Sequence, residues 1–242
     1  MFNYKLTLQY DGLHYAGWQI QENAVSVQEV VKNSIHKILQ SEVNLIGAGR
    51  TDAGVHALGQ VANFTLDQKL DLYKFKYSLN SVLPDDISVS DIIEVDENFH
   101  ARFSAKRRSY IYLISSQKSP FYDRYSYHYY SKPDIDKLNK LSNILIGQKD
   151  FASFSKNNPE VQNKTCDIFE ARWRQGKNLI IFYIEANRFL YGMVRAIVGT
   201  LIKIHSSKKA EEELQNVIAM KNREAAGDSV PAKGLFLYKI KY

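Results

Sequence analysis

The chain has 242 residues, 32 Lys plus Arg against 26 Asp plus Glu and a formal charge of +6, with a pI near 9.1. Its 45% hydrophobic and 24% charged content exclude global disorder, and its length fits one large domain or two small ones at roughly 100 to 200 residues each. A single cysteine, Cys166, excludes a disulfide framework or a zinc site on paired thiolates; no apolar run approaches the roughly 18 residues of a membrane span and no basic-then-apolar leader precedes the first strand pattern, so the expected address is the cytoplasm.

Residues 3–10 alternate with period two, Tyr4, Leu6, Leu8 and Tyr10 on one face and Asn3, Lys5, Thr7 and Gln9 on the other, which predicts a strand. Residues 26–39 change to a helical period: Val27, Val30, Val31, Ile35, Ile38 and Leu39 form one stripe, and Ser26 with Glu29 reads as a capping box. Short strands are expected at 44–46, 60–66, 87–95 and 109–115. A second set follows, with helices at 134–145, 193–204 and 210–220 and strands at 169–173, 179–186 and 235–239. The mixture of strands, helices and hairpin-like pairs argues α+β rather than a doubly wound parallel sheet. No low-complexity linker separates the halves; a seam near residue 105 divides the chain into 1–105 and 106–242, expected to share a continuous sheet.

A net charge of +6 is weak evidence for a polyanionic partner when taken alone. In Lys106-Arg107-Arg108-Ser109-Tyr110-Ile111-Tyr112 and in Tyr122-Asp123-Arg124-Tyr125, however, cations and rings alternate as RNA-facing strands often require. Two-sided strands with solvated outer faces give the same pattern, and both readings stand at this point.

The segment Gly47-Ala48-Gly49-Arg50-Thr51-Asp52-Ala53-Gly54-Val55-His56-Ala57 is too glycine-rich for a helix and lies between two strands, so it is a tight loop. It lacks the third glycine of a dinucleotide fingerprint and the Gly-Lys-Ser/Thr of a phosphate loop. What remains is a carboxylate, Asp52, two residues from the guanidinium of Arg50. An Asp before a glycine commonly caps a turn, and spacing alone leaves that reading open.

The string from Gly49 to Ala57 resembles the catalytic motif of the bacterial tRNA pseudouridine synthase A family. Further stretches resemble it in the same order: Tyr10-Asp11-Gly12, Gly17-Trp18-Gln19-Ile20-Gln21, Leu79-Asn80 with Leu83-Pro84, and Phe99-His100-Ala101-Arg102-Phe103-Ser104-Ala105. They continue with Asp150-Phe151-Ala152-Ser153-Phe154, Phe189-Leu190-Tyr191 with Met193-Val194-Arg195, and Pro231-Ala232-Lys233-Gly234-Leu235-Phe236-Leu237, so the resemblance runs from residue 4 to the C-terminus.

The resemblance implies the pseudouridine synthase fold: two α/β halves, each like an RNA-binding module, joined through a largely antiparallel sheet with the active cleft between them. It implies a homodimer that converts uridines at positions 38, 39 and 40 of the tRNA anticodon arm to pseudouridine, without metal or organic cofactor. The reaction detaches uracil from C1′, rotates it and rejoins it through C5. Asp52 is then the catalytic carboxylate, either attacking or removing a sugar proton to open a glycal route. Burial alone disfavours a charged carboxylate, and a nearby guanidinium offsets this; the resemblance maps that partner onto Arg195. It maps onto Tyr110 the ring that stacks on uracil and helps remove the C5 proton, although a phenol's ordinary pKa near 10 makes it a poor base unaided. Tyr112 shares the strand face of Tyr110. Arg50 and Thr51 are expected at the substrate, Arg50 on the RNA backbone. His56 is expected to serve as an internal hydrogen-bond partner, outside the catalytic set. Flipping the base out costs a few kcal/mol, and Lys106, Arg107, Arg108, Arg102 and Arg124 are candidate phosphate contacts that offset it.

The sequence departs from the family's pattern at Gly192, where many relatives have His, at Ala196, where many have Asn, and at Glu29, which follows Gln28 where relatives often have Gly. Cys166-Asp167 replaces a pair that is usually apolar then Arg. Two other functions use the same features: a non-catalytic RNA-binding module, which has no need of a constrained carboxylate, and a small-molecule enzyme binding a phosphorylated metabolite near the glycine loop.

Overall fold

The computed structural model describes residues 1–156 and 161–242. In chain order its elements are β1 (Phe2–Tyr10), α1 (Val27–Leu39), β2 (Ile46–Gly47), β3 (His56–Leu66), α2 (Leu72–Val82), β4 (Ile87–Val95), β5 (Arg107–Ser115), β6 (Tyr127–His128), α3 (Ile135–Ile144), β7 (Gly147–Asp150), β8 (Thr165–Gln175), β9 (Leu179–Ala186), α4 (Met193–Ile204), α5 (Ala210–Met220) and β10 (Leu235–Lys241), with short 3-10 turns at Ala152–Phe154, Arg223–Ala225 and Ala232–Gly234. They form two compact units, Met1–Lys106 with Phe236–Tyr242, and Arg107–Leu235.

In the first unit β1 lies between β4 and β3, antiparallel to both. The alternation read from residues 3–10 is realised: Tyr4, Leu6 and Leu8 are fully buried and Tyr10 nearly so. Burial of each such side chain stabilises by about 1.5–3 kcal/mol. The other face is held by a polar network, in which Asn3 Nδ2 donates to the carbonyls of Asp96 and Phe99 at 3.0 and 2.8 Å, and Asn63 Nδ2 donates to Asn3 Oδ1 at 2.9 Å. Beyond β3, β2 pairs antiparallel at Ile46↔Asn63 and β10 pairs parallel at Phe236↔His56. The first unit is thus built from both ends of the chain, because β3 is long enough to offer its early residues to β10 and its later ones to β2.

Helix α1 begins as its capping box predicts, with Ser26 Oγ accepting from the Glu29 amide at 3.3 Å. Helix α2 has no counterpart in the sequence expectations. Asp71 caps it through the Lys74 amide, and only Phe75 and Leu79 are buried while Tyr73 and Tyr77 are 80% and 73% exposed. Apolar residues on both faces blur the stripe that reveals a helix in sequence.

In the second unit the strand order is β5-β9-β8-β7, antiparallel throughout, with β6 parallel beside β5. Trp173 of β8 donates from Nε1 to Ser142 Oγ of α3 at 2.9 Å and packs tilted against Phe182 of β9, ring centroids 4.6 Å apart. Helix α4 is buried nearly all round, from Met193 to Ile204. Gly199 lets the chain pass at its flank, since a Cβ there would lie 1.8 Å from the Asp228 carbonyl oxygen. The strand expected at 169–173 is longer, and that at 44–46 shrinks to two residues displaced by two. The mixed α+β reading and the largely antiparallel pairing hold within each unit.

Candidate active site

The glycine-rich segment connects β2 to β3 as a braced loop. The Ala48 amide donates to the Val61 carbonyl at 2.8 Å, and the Val55 amide closes on the Asp52 carbonyl at 3.1 Å. Asp52 therefore opens a tight turn over Ala53 and Gly54, the latter at φ +74°. One wall behind it comes from residues 10–18. Tyr10 and Thr51 share a buried hydroxyl hydrogen bond of 2.8 Å, the Trp18 amide donates to the Thr51 carbonyl at 3.2 Å, and the Gly54 amide donates to the Tyr15 carbonyl at 3.3 Å. Two glycines make this approach possible: a Cβ on Gly12 would lie 1.9 Å from the Val55 carbonyl oxygen, and Gly17, at φ +95°, would place one 2.3 Å from that of Thr51. The other wall is Gln60, fully buried, whose Nε2 donates to the Gly49 carbonyl at 2.9 Å. Thr51 is thereby drawn inward, Asp52 is half-buried and Arg50 is exposed.

His56 is 1% exposed, stacked on Phe236 at 4.6 Å, with Nδ1 2.9 Å from Asp11 Oδ1 and 3.0 Å from the Gly12 amide nitrogen. Nδ1 accepts from the Gly12 amide when it carries no proton and donates to Asp11 when it does. In either form it ties the start of β3 to residues 11 and 12, the internal role expected of it.

In the second unit Tyr110 stands on β5 opposite Ile184, 8% exposed, with the Phe189 ring edge-on at 5.1 Å. Tyr112 shares that face but is fully buried and donates to the Pro231 carbonyl at 2.8 Å. Burial pushes its phenol well above the ordinary value, and the Arg195 guanidinium pulls it part of the way back. The hydroxyl of Tyr112 is committed to the backbone, which separates two tyrosines that sequence spacing alone left side by side.

Arg195 lies in the first turn of α4, half-buried. Its Nε donates to the Val230 carbonyl at 2.7 Å, and the Val230 amide donates back to the Arg195 carbonyl at 3.3 Å. The receiving segment is clamped in turn: Arg223 donates from Nη1 to the Gly227 carbonyl at 3.0 Å and from Nη2 to Ser229 Oγ at 3.1 Å, and the Gly227 amide donates to Thr200 Oγ1 at 2.9 Å. Gly192, the N-cap of α4, sits at φ +71°, a backbone that a histidine adopts only with strain.

The basic run divides. Arg107 pairs with the buried Glu185 at 3.1 Å and lies over the Phe169 ring at 4.3 Å, so its charge compensates a buried carboxylate of its own unit. Arg108 donates to the Asn187 carbonyl at 2.9 Å. Lys106, Arg102 and Arg124 are exposed, the last two against the rings of Phe103 and Tyr125. Arg50, Thr51, Asp52 and Lys106 thus belong to the first unit, and Tyr110, Arg107, Arg108 and Arg195 to the second. Within the second unit the structure brings Arg195, Tyr112 and residues 230 and 231 together. Sequence reasoning gave no role to Gln60, Val230 and Arg223, whose contacts run from 4 to 35 residues along the chain without a pattern that marks them, and quoted Phe189 only as part of a resembling stretch. Among the described residues no group of three or more His, Cys, Asp or Glu is placed to hold a metal ion, and no helix is long and apolar enough to cross a membrane.

The model of a protein family described as tRNA pseudouridine synthase matches residues 7–104 and 141–242. Among individual relatives, the chain is 43% identical over 244 residues to the tRNA pseudouridine synthase A of Thermoanaerobacter sp. strain X514, covering 100% of both chains. It is 42% identical over 241 residues to that of Bacteroides fragilis, covering 99% of this chain and 96% of the relative. The corresponding protein of Bacillus pumilus is 38% identical over 242 residues, with 98% of each covered.

Proposed function

This chain belongs to the tRNA pseudouridine synthase family, and we propose that its action falls on uridines 38, 39 and 40 of the anticodon arm, with Asp52 as the catalytic carboxylate. The activity is an isomerisation: uridine in tRNA becomes pseudouridine when uracil leaves C1′, turns and rejoins through C5. No atom is gained or lost, so the enzyme must supply a carboxylate at the nucleoside, a cation that keeps it ionised, and a group that relays the C5 proton. Asp52 supplies the first, Arg195 the second and Tyr110 the third. Attack by the carboxylate and removal of a sugar proton both begin from its ionised form.

The observation that carries this reading is the bracing of the loop at Asp52. A carboxylate that only capped a turn has no need of a backbone held by Tyr10, Trp18 and Gln60 through buried hydrogen bonds. Such pre-organisation is what a reacting group requires, because misplacement by about 1 Å can cost 10²-fold in rate. Arg50, exposed beside it, is assigned to the RNA backbone, and Thr51 to holding the loop through Tyr10 rather than to the substrate alone. Lys106 and Arg102 are assigned to phosphates. Arg107 and Arg108 contribute field, with Arg107 anchored on Glu185. The protein works without cofactor, in the cytoplasm, as a homodimer. Supporting the dimer, Ile111 and Leu113 of β5 and Ile181 and Tyr183 of β9 remain part-exposed on the sheet face opposite to Tyr112, Phe182 and Trp173, an apolar strip that a second copy can cover.

The test is tRNA carrying tritium at uracil C5, incubated with the wild-type protein and with Asp52→Asn and Asp52→Ala. Wild type is expected to release tritium at the anticodon-arm uridines, whereas both variants bind tRNA normally and release it more than about 10³-fold more slowly. Normal turnover by either variant would refute the assignment of Asp52.

A further inference from the structure

Between β5 and α3 the chain runs through residues 116–134, which hold five of the 16 tyrosines: Tyr122, Tyr125, Tyr127, Tyr129 and Tyr130. Sequence alternation suggested a strand around Tyr122 to Tyr125. The structure has instead an anchored loop, joined to β5 where β6 pairs at Ile114↔Tyr127 and Ser115↔His128 and where the Tyr129 amide donates to the Ser115 carbonyl at 3.0 Å. Ser126, 1% exposed, donates to the Tyr122 carbonyl at 2.7 Å, and the Tyr122 hydroxyl accepts from Asn178 at 3.2 Å. The loop is therefore built, yet it turns large rings outward: Phe121 is 85% exposed and Tyr130 86%, and Arg124 lies over the ring of Tyr125. Tyr130 also lies against the His128 ring at 4.3 Å, so rings and cations share this loop's surface.

Charge indicates the partner. Residues 116–134 contain Lys118, Arg124 and Lys132 against two acids: Asp123 is taken by Lys233 at 2.9 Å, and Asp134 caps α3 by accepting from the Lys137 amide at 3.0 Å. The surface is therefore rings set among cations, the combination that stacks on unpaired bases while attracting the phosphates between them. Its position fits the same substrate. Lys233 follows directly on the segment whose Val230 and Pro231 carbonyls receive Arg195 and Tyr112.

The geometry points to Phe121 and Tyr130 as stacking platforms for unpaired nucleotides of the substrate tRNA. This rests on the proposed function. Both rings bind bases by their faces, tolerate any base, and contribute affinity that does not depend on releasing counterions.

The experiment measures binding of whole tRNA and of a blunt, fully paired RNA duplex to the full-length protein with Phe121→Ala, Tyr130→Ala, both together, and Phe121→Trp. Each Ala variant is expected to weaken tRNA binding about tenfold, with the salt slope unchanged, the duplex unaffected, and Phe121→Trp close to wild type. Since both rings are exposed, unchanged thermal melts are expected of every variant. The inference is overturned if tRNA binding by the double variant equals wild type, if duplex and tRNA lose affinity alike, or if the variants only change the oligomeric state, which would make this a contact between copies. Tritium release by the wild-type protein is the separate check on the proposed function: if it is present while the Ala variants bind normally, only this inference fails.

Discussion

The Nε of Arg195 and the carbonyl of Val230, 35 residues apart in sequence, lie 2.7 Å from one another. A guanidinium is planar, so a bond at Nε sets the plane in which its remaining donors point. A lysine concentrates its charge and donors on one nitrogen, so it cannot bond Val230 from one atom and direct planar donors from two others. Arg195→Lys is therefore expected to lower kcat by about 10²-fold or more with little change in tRNA affinity. Single-turnover tritium release and a binding isotherm on the same preparation check this; a loss confined to affinity contradicts the role.

The Gly12 position makes a second, steric test. A Cβ there overlaps the Val55 carbonyl at 1.9 Å, and that carbonyl belongs to backbone that cannot rotate away. Gly12→Ala is expected to cost about 1–3 kcal/mol of stability and to reduce turnover beyond what the loss of folded protein explains, because the displaced residues lead directly into Asp52. Urea unfolding and turnover per folded molecule separate the two effects. A variant that melts and turns over like wild type contradicts the close packing of these segments.

Tyr112 predicts a pH dependence at the alkaline end. Burial holds its phenol well above the ordinary value, so the folded chain keeps a proton that the unfolded chain gives up above about pH 10. The unfolded state then binds fewer protons, and the unfolding free energy falls with rising pH by at most about 1.4 kcal/mol per unit from this group. Tyr15, buried against Asp86, is shifted the same way and adds to the slope. Tyr112→Phe is expected to lower stability by about 1 kcal/mol at neutral pH through loss of the Pro231 bond, and to fall less steeply than wild type above pH 10. Thermal melts across that range decide; parallel slopes would remove Tyr112 from the account.

Association with tRNA is expected to weaken steeply as salt is raised, since released counterions supply much of the affinity. Arg50→Ala and Lys106→Ala should each reduce the slope by about one counterion, while Arg107→Ala should chiefly destabilise the fold, because it removes the cation paired with the buried Glu185. An affinity that is the same at low and high salt contradicts the phosphate contacts.

The elements were largely legible before the structure. Strand β1, the start of α1, β9, α4 and α5 follow from period and capping, which are local properties of a few consecutive residues. Helix α2 was not legible, since Tyr73 and Tyr77 face solvent where polar residues were expected. Nor was the loop around Tyr122 to Tyr125, whose alternation of rings and charges imitates a strand.

At the site, the sequence by itself determined the glycine loop, its Asp52 and the family that the ordered motifs identify, because glycine spacing and a carboxylate between glycines are written in adjacent residues. Only the tertiary structure decided that Tyr112 is tied to Pro231, that Arg107 serves Glu185, and that Gln60 and Arg223 brace the loop and the segment that holds Arg195. Those assignments depend on which backbone carbonyl or carboxylate arrives within about 3 Å of a donor. For Tyr112 and Arg107 that arrival is fixed by sheet register and packing across 119 and 78 residues, and for Gln60 and Arg223 by how a loop folds back on itself, neither of which a residue pattern encodes.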